Sequence, residues 1–217
     1  MDTETARFNM IEQQIRPWDV LDPRILNALH EVHREDFVPP AYRNLAFADM
    51  HIPLDHGQVM MQPKQEARLL QALAPRDTDR VLEIGTGSGY VTALLARLAR
   101  HVDTVDIFAD FIEAAKKKLA DHGFTNVTFH EGDAAKGWDS NQSYDAIILT
   151  GSVAELPAVY KRLLADGGRL VAVVGHSPVM EAVLVEHLSG ERYRETSLFD
   201  TSVPPLVHGG AEPSFVF

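Results

Sequence analysis

The chain has 217 residues, 45% hydrophobic and 24% charged, so one domain can bury a core and stay soluble. The formal net charge is −11, which argues against unassisted nucleic-acid binding and against docking on anionic membranes. The absence of cysteine excludes a disulfide framework, a thiol nucleophile and a thiolate metal site. No signal peptide and no apolar run of membrane-spanning length is recognisable. We expect a cytoplasmic protein with a single domain, residues 1–217.

The first 75 residues predict three helices. Residues 3–15 carry apolar side chains at helical spacing, and Asp22 and Pro23 are the typical N-cap and first residue of a second helix. The sequence "FVPP", residues 37–40, ends that helix because proline cannot continue it. Residues 40–63 have no regular pattern, and Gln62-Pro63 begins a third helix that ends near Pro75. We interpret residues 1–75 as an extension to a core domain at 76–217.

From residue 80 onward, short apolar strands alternate with amphipathic helices. The strands are "RVLEIG", "VDTVDI", "NVTFHEGD", "YDAIILTG" and "RLVAVVG", and the helices are residues 90–99, 109–121 and 157–165, the last closed by Gly167-Gly168. Such alternation is typical of a parallel sheet covered on both faces. "MEAVLVEHL" and "RYRETSLFDTSV" predict an antiparallel edge hairpin. The expected α/β fold is a doubly wound, mostly parallel, seven-stranded sheet with an N-terminal helical extension and that hairpin.

The stretch "LEIGTGSGY", residues 82–90, lies where a strand meets a helix. Gly85, Gly87 and Gly89 let the backbone turn sharply and approach a ligand closely, and the next helix offers free N–H groups to an anion. A dinucleotide fingerprint would need a third glycine at position 90, which is Tyr90. The pattern is G-x-G-x-G instead, with an acid, Glu83, on the strand before it. A glycine triplet alone is also compatible with a purely structural turn.

Two further acids follow the next two strands. Asp106 ends the second strand of the core, where a carboxylate can accept hydrogen bonds from ribose hydroxyls, and Asp133 follows the third, where an acid can reach an adenine amine. Each alone is typical of a loop acid or a helix cap. With Glu83 they mark the carboxyl ends of consecutive strands, the edge at which doubly wound sheets bind ligands. This arrangement predicts a ligand of the nucleoside type.

The chain resembles class I S-adenosylmethionine-dependent methyltransferases and, within them, the protein-L-isoaspartate O-methyltransferase family. The resemblance is carried by "MIEQQI", "LDPRILNAL", "FVPP", "LAFADMHIPL", "GQVMMQP", "RVLEIGTGSGYVTALLA", "GD", "YDAIILTG" and "LLADGGRLVAVVG". It implies a Rossmann-like methyltransferase fold, S-adenosyl-L-methionine as cofactor and residues 1–75 on the acceptor side. It also implies a repair reaction that methylates the abnormal α-carboxylate of isoaspartyl residues.

The resemblance further implies a set of cofactor-binding residues. Residues 83–89 would hold the methionine part, Asp106 the ribose, and Asp133 with Ala134 the adenine end. The whole expected set is Gln58, Val59, Met60, Met61, Glu83, Gly85, Thr86, Gly87, Ser88, Gly89, Asp106, Ile107, Asp133, Ala134 and Thr150. The acids and histidines of "DMHIPLDH" lack metal-ligand spacing, so no metal site is predicted.

The loop "HGQVMMQP", residues 56–63, departs from the family pattern, which is close to "GQTISQP". Met61 stands where the family has the serine usually named as catalytic, Val59 replaces the threonine, and Val207 is the natural match to the threonine of the family's "VPLT". Met61 and Gln62 are the candidate residues at the catalytic position. Methyl transfer to a carboxylate that is already ionised needs proximity and alignment rather than a base, so losing the serine does not forbid it. We expect Met61 to line the acceptor pocket, and Met60 either to pack in the core or to line the site.

Three interpretations of the function remain open on the sequence alone. The first is isoaspartyl methylation, with an isoaspartyl-containing protein or peptide as partner. The second is a methyltransferase with a less polar small-molecule acceptor, since Val59, Met61 and Val207 all change in the apolar direction. The third is a member that binds the cofactor without isoaspartyl activity. Neither nucleic acid nor membrane is expected as a partner, and the state is a monomer or a dimer.

Overall fold

The computed structural model describes residues 2–210, and its helices and strands follow the predicted order. The α-helices are α1 (Thr3–Met10), α2 (Pro23–Glu31), α3 (Pro63–Leu73), α4 (Tyr90–Leu98), α5 (Ala109–Asp121) and α6 (Ala158–Arg162). The strands are β1 (Ile52–Pro53), β2 (Val59–Met60), β3 (Arg80–Ile84), β4 (His101–Asp106), β5 (Val127–Glu131), β6 (Tyr144–Val153), β7 (Leu164–His176), β8 (Val179–Ser189) and β9 (Arg192–Asp200).

The main sheet has seven strands in the order β5-β4-β3-β6-β7-β8-β9. Strands β3 to β7 pair in parallel, whereas β8 and β9 are antiparallel to their neighbours. Side chains of β3 alternate between two cores, with Val81 in one and Leu82 and Ile84 in the other. The predicted doubly wound sheet with its antiparallel edge hairpin is therefore confirmed.

Of the N-terminal helices, α3 packs on β6, β7 and β8 of the sheet, and α2 packs on α3 and α4. Two buried ion pairs, Arg7–Glu35 and Arg34–Glu66, join α1 and α3 to the segment that follows α2. Asp22 caps α2 by accepting a hydrogen bond from the Arg24 N–H at 2.8 Å, as the sequence predicts. Residues 3–15 begin as α1 and continue as a π-helical turn, Ile11–Ile15. Within residues 2–210 no helix is long and apolar enough to cross a membrane.

Two sequence-based expectations are wrong in detail. The sixth helix ends at Arg162 rather than near residue 165, because Leu164 already pairs with Tyr144 of the neighbouring strand. Gly167, with φ +74°, and Gly168 therefore lie in an irregular first part of β7 and do not cap a helix. After the register shift there, Arg169 pairs with Ala146 near the start of β6.

Candidate functional site

A cleft opens at the carboxyl edge of the sheet, beside the point where the strand order reverses between β3 and β6. We refer to it as the main cleft. The predicted residues that line it are Gln58, Val59, Gly85, Gly87, Asp106, Ile107, Asp133, Ala134 and Thr150. Doubly wound sheets bind ligands at such switch points, so the main cleft is the place where this topology offers a site.

Asp106 forms part of the floor of the main cleft and is firmly held. Its Oδ2 accepts a hydrogen bond from the Gly87 N–H at 2.8 Å, and its Oδ1 accepts one from the Phe108 N–H at 3.0 Å. Burial raises the pKa of Asp106 above its ordinary value, and the backbone donors oppose that rise. The carboxylate therefore links the glycine turn to the start of α5. Asp106 also lines the main cleft, where its oxygens can accept further hydrogen bonds.

Asp133 lies at the outer end of the main cleft and is exposed. Its Oδ2 is 2.7 Å from Nδ1 of His208, and its Oδ1 accepts a hydrogen bond from the Ala135 N–H at 3.1 Å. Burial acts to raise the pKa of Asp133, but the contact with His208 and the Ala135 N–H outweigh it and lower the pKa. The predicted adenine-end acid is thus joined to the C-terminal segment.

The glycine turn separates the main cleft from a second, smaller cavity. Gly85 and Gly87 have φ of +100° and +49°, which suits glycine, and both line the two spaces. The Thr150 hydroxyl lies within hydrogen-bond distance of the carbonyls of Ile84 at 2.9 Å and Gly85 at 2.6 Å, which fixes the turn against β6. Gly89 lines neither space: a Cβ there would meet Ala115 and Leu119 of α5.

We call this second space the inner cavity. The expected residues that line it are Val59, Met60, Met61, Gly85, Thr86, Gly87, Ser88 and Thr150. Met60 and Met61 are each only 4% exposed, so both pack in the core and also line the inner cavity. Gln62 lines neither space; its N–H donates to Gln65 Oε1 at 3.3 Å at the start of α3.

Glu83 lies beneath the glycine turn and does not face either space. The carboxyl group is fully buried, and its Oε2 accepts hydrogen bonds from the hydroxyls of Thr92 at 2.5 Å and Thr104 at 2.7 Å. Its Oε1 has no partner among the described residues. Burial raises the pKa of Glu83 to about 8, and the charge of Asp106 adds to the rise, whereas the two hydroxyls oppose it.

A carboxylate that the sequence analysis did not select lines the inner cavity. Glu66, on α3, is 1% exposed and pairs with Arg34, which is fully buried. Arg34 also donates to the carbonyls of Ala46 at 2.8 Å and Met61 at 2.7 Å. Burial raises the pKa of Glu66 to about 7 despite Arg34. The sequence gives no local signal for this pair, because its members are 32 residues apart.

The walls of the main cleft include segments that sequence reasoning missed. The C-terminal segment, residues 203–207, closes one side, and Leu54, Phe108 and Phe111 contribute to the other. His56 stacks on Phe108 with ring centroids 4.0 Å apart, and its Nε2 lies 2.8 Å from Asp110 Oδ2. The match of "VPPLV" to the family's "VPLT" was the one available signal, and Val207 does line the cleft. Within residues 2–210, no group of three or more His, Cys, Asp or Glu side chains is placed to hold a metal.

Comparisons with known proteins agree with this architecture. The family model of protein-L-isoaspartate(D-aspartate) O-methyltransferase (PCMT) matches residues 5–207. A protein-L-isoaspartate O-methyltransferase of Rhodopseudomonas palustris is 39% identical over 204 residues, which is 94% of this chain and 93% of the relative. Protein-L-isoaspartate O-methyltransferase 2 of Pelobacter propionicus is 39% identical over 210 residues, covering 96% of this chain and 92% of the relative.

A solved structure is similar in fold. It is a Plasmodium falciparum protein described as a beta-aspartate methyltransferase (PCMT) in complex with S-adenosyl-L-homocysteine. It superposes with a TM-score of 0.78 at 17% identity, covering 95% of this chain and 99% of the other. Since the family match and both relatives extend over more than nine-tenths of the sequence, the chain belongs to the protein-L-isoaspartate(D-aspartate) O-methyltransferase family.

Proposed function

We propose that this chain is an S-adenosyl-L-methionine-dependent O-methyltransferase that esterifies the abnormal α-carboxylate of isoaspartyl residues in damaged proteins. The observation that carries the proposal is the buried Asp106 carboxylate, held by the N–H groups of Gly87 and Phe108 beside the glycine turn. The relatives at 39% identity bear the same activity in their names, so the alternative of a less polar acceptor is not favoured.

The residues of the main cleft fit an adenosine. Asp106 offers carboxylate oxygens to two ribose hydroxyls, and Asp133 can accept from an exocyclic amine. Ile107 and Ala134 provide apolar walls for a flat ring. At the other end, Gly85 and Gly87 present backbone without side chains, so a ligand can approach the turn closely.

The chemistry demands positioning more than proton transfer. When bound, S-adenosyl-L-methionine supplies a methyl group on a positively charged sulfur. The acceptor carboxylate is ionised at pH 7, so this chain needs no general base and its residues act by alignment and exclusion of water. Val59 and Met61 supply apolar surface, and Arg34 fixes the Met61 carbonyl. We propose that residues 1–75 form the acceptor side of the site and that Met61 is part of the wall that the acceptor meets. Gln62 lines neither the main cleft nor the inner cavity.

An acceptor panel with methyl-labelled cofactor tests the proposal. The panel contains an isoaspartyl peptide, its aspartyl twin, small carboxylic acids and phenols. We expect base-labile label on the isoaspartyl peptide and none on the twin. Label that appears only on a phenol or a small acid would contradict the assigned acceptor, and binding of S-adenosylhomocysteine without any methylation would contradict the enzyme assignment. A cytoplasmic location, a monomeric or dimeric state and the lack of nucleic-acid and membrane partners stay predictions.

A further inference from the structure

The inner cavity contains a single ionisable side chain among the described residues that line it. Glu66 is that residue, and the rest of the lining is apolar or hydroxyl-bearing or belongs to the glycine turn. Val59, Gly85, Gly87 and Thr150 line both the inner cavity and the main cleft. The two spaces are therefore neighbours across one turn of backbone, and a ligand that extends past the turn comes next to Glu66.

Glu66 is buried but retains acceptor capacity. Its Oε2 pairs with Arg34 Nη1, and within residues 2–210 no hydrogen bond reaches its Oε1. Arg34 is shared among several acceptors, because its Nε and Nη2 donate to the carbonyls of Ala46 and Met61. A carboxylate can accept about four hydrogen bonds, so Glu66 can take a further donor from the space that it lines. The inner cavity is thus suited to a cation with N–H donors.

We infer that Glu66 receives the α-ammonium group of the methionyl end of the cofactor. The inference rests on the proposed function, because adenosine in the main cleft directs the amino-acid end toward the glycine turn. The N-terminus of α4, beyond that turn, favours the negatively charged α-carboxylate of the same end. Glu83 cannot take this role without rearrangement, since it is fully buried and lines neither space.

The negative charge of Glu66 acts differently on the acceptor carboxylate and on the ammonium group of the cofactor. An acceptor carboxylate placed directly beside Glu66 would be repelled by the carboxylate of that residue. A ligand ammonium there is attracted. Glu66 therefore favours an ammonium over a carboxylate at its own end of the inner cavity.

A thermodynamic cycle on binding tests the inference without catalysis. S-adenosylhomocysteine and its des-amino analogue, in which hydrogen replaces the α-amino group, are titrated by calorimetry into the unmodified protein and into Glu66→Gln. We expect the unmodified protein to prefer S-adenosylhomocysteine by about ten- to a hundredfold, as for one charge-assisted hydrogen bond. In Glu66→Gln this preference should shrink to within about threefold, because the charge it depends on is gone.

Glu35→Gln is the matched control. Glu35 is 7% exposed and pairs with buried Arg7, and it lines neither space, so this variant also removes a buried carboxylate beside an arginine. It should lower the melting temperature and keep the ligand preference of the unmodified protein.

Several outcomes would overturn the inference. Equal affinity of the unmodified protein for the two ligands would do so even if Glu66→Gln fails to fold. A folded Glu66→Gln variant that keeps the full preference would do so as well, as would loss of the preference in Glu35→Gln. If neither ligand binds the unmodified protein, the proposed function itself fails, which is a distinguishable result.

Discussion

The imidazole Nδ1 of His208 lies 2.7 Å from Oδ2 of Asp133, so the C-terminal segment is joined to the outer end of the main cleft by one exposed pair. The exposed side-chain fractions are 62% and 44%, and water screens such a pair strongly. Its effect is therefore on the ionisation of Asp133 more than on global stability.

His208→Ala should raise the pKa of Asp133 toward the ordinary aspartate value. Burial already pushes this pKa up, and the variant leaves only the Ala135 N–H and nearby positive charge to oppose it. Carboxyl NMR titration of the two proteins measures the change. An Asp133 titration that is the same in both would mean that the contact with His208 does not persist in solution.

Asp106→Ala should weaken S-adenosylhomocysteine binding by on the order of 1–3 kcal/mol, because charge-assisted hydrogen bonds to ribose are lost. Asp103→Asn is the control: it lies on the same strand, is 2% exposed and pairs with Arg80 and His130 outside the cleft. Calorimetry should show reduced affinity only for the first variant. Unchanged affinity in a folded Asp106→Ala protein would remove Asp106 from the site.

Gly85→Ala should both destabilise the protein and abolish measurable cofactor binding. The residue has φ +100°, and an added Cβ would overlap the Thr150 hydroxyl. Gly57→Ala is the matched control, since Gly57 has φ +68° with nothing within 4 Å of the added Cβ. We expect the control to lose roughly 1–2 kcal/mol from backbone strain alone. Similar losses in urea unfolding for the two variants would contradict the proposed close packing at Gly85.

Glu83 should give the protein a specific pH dependence of stability. Its pKa is about 8 in the folded state and close to 4.5 when unfolded, so the folded state binds more protons between these values. The contribution of Glu83 to stability should therefore fall as pH rises from about 4.5 to 8, by at most about 1.4 kcal/mol per pH unit. Glu83→Gln should show a shallower slope, with Glu66, whose pKa is raised to about 7, still contributing at lower pH. Glu113→Gln, at an exposed position of α5, should keep the full slope. Urea unfolding at four pH values compares the three proteins, and parallel profiles would exclude a raised pKa.

The double change Val59→Thr, Met61→Ser should have opposite effects on stability and activity. Met61 is 4% exposed, so a serine there leaves a cavity and a buried hydroxyl, at a cost of about 2–4 kcal/mol in unfolding free energy. A hydroxyl that orients the acceptor carboxylate in the transition state would raise isoaspartyl methylation about ten- to a hundredfold. Assays below the melting temperature compare the variant with its parent. A strong parental activity that the change leaves unaltered would show that the methionines only pack.

The strand-edge part of the site was predictable because its signals are local. The turn at Gly85 and Gly87 and the acid that ends β4, Asp106, are each identified by a strand pattern in the same short segment. The alternation of strands and helices likewise predicts a parallel sheet, although not the order of its strands. The sequence did not predict the position of Glu83 correctly. We grouped Glu83 with the glycine turn, whereas it lies beneath the turn and lines neither space.

The part that was missed depends on contacts between distant segments. A glutamate on an amphipathic helix is normally exposed, and only the approach of Arg34 explains why Glu66 is buried. Lys118 belongs to a run of three lysines that suggests a solvated helix face. Its Nζ is nevertheless partly buried and donates to the carbonyls of Phe37 at 2.9 Å and Ser88 at 3.3 Å. Neither the burial of Glu66 nor that of Lys118 has a local signature in the sequence.

The guanidinium of Arg34 fixes one wall of the inner cavity. The buried Arg34 side chain binds the carbonyls of Ala46 and Met61 in the segment before α3, and it pairs with Glu66 on α3 itself. This wall can therefore move only if a buried ion pair breaks.

One wall of the main cleft, residues 203–207, is fixed to β6 in the same way. The Ser152 hydroxyl and N–H donate to the carbonyls of Val203 and Pro204, and the Ser152 carbonyl accepts from the Leu206 N–H. A bound ligand therefore lies between two segments that are each held from behind, and loosening either segment requires breaking buried hydrogen bonds.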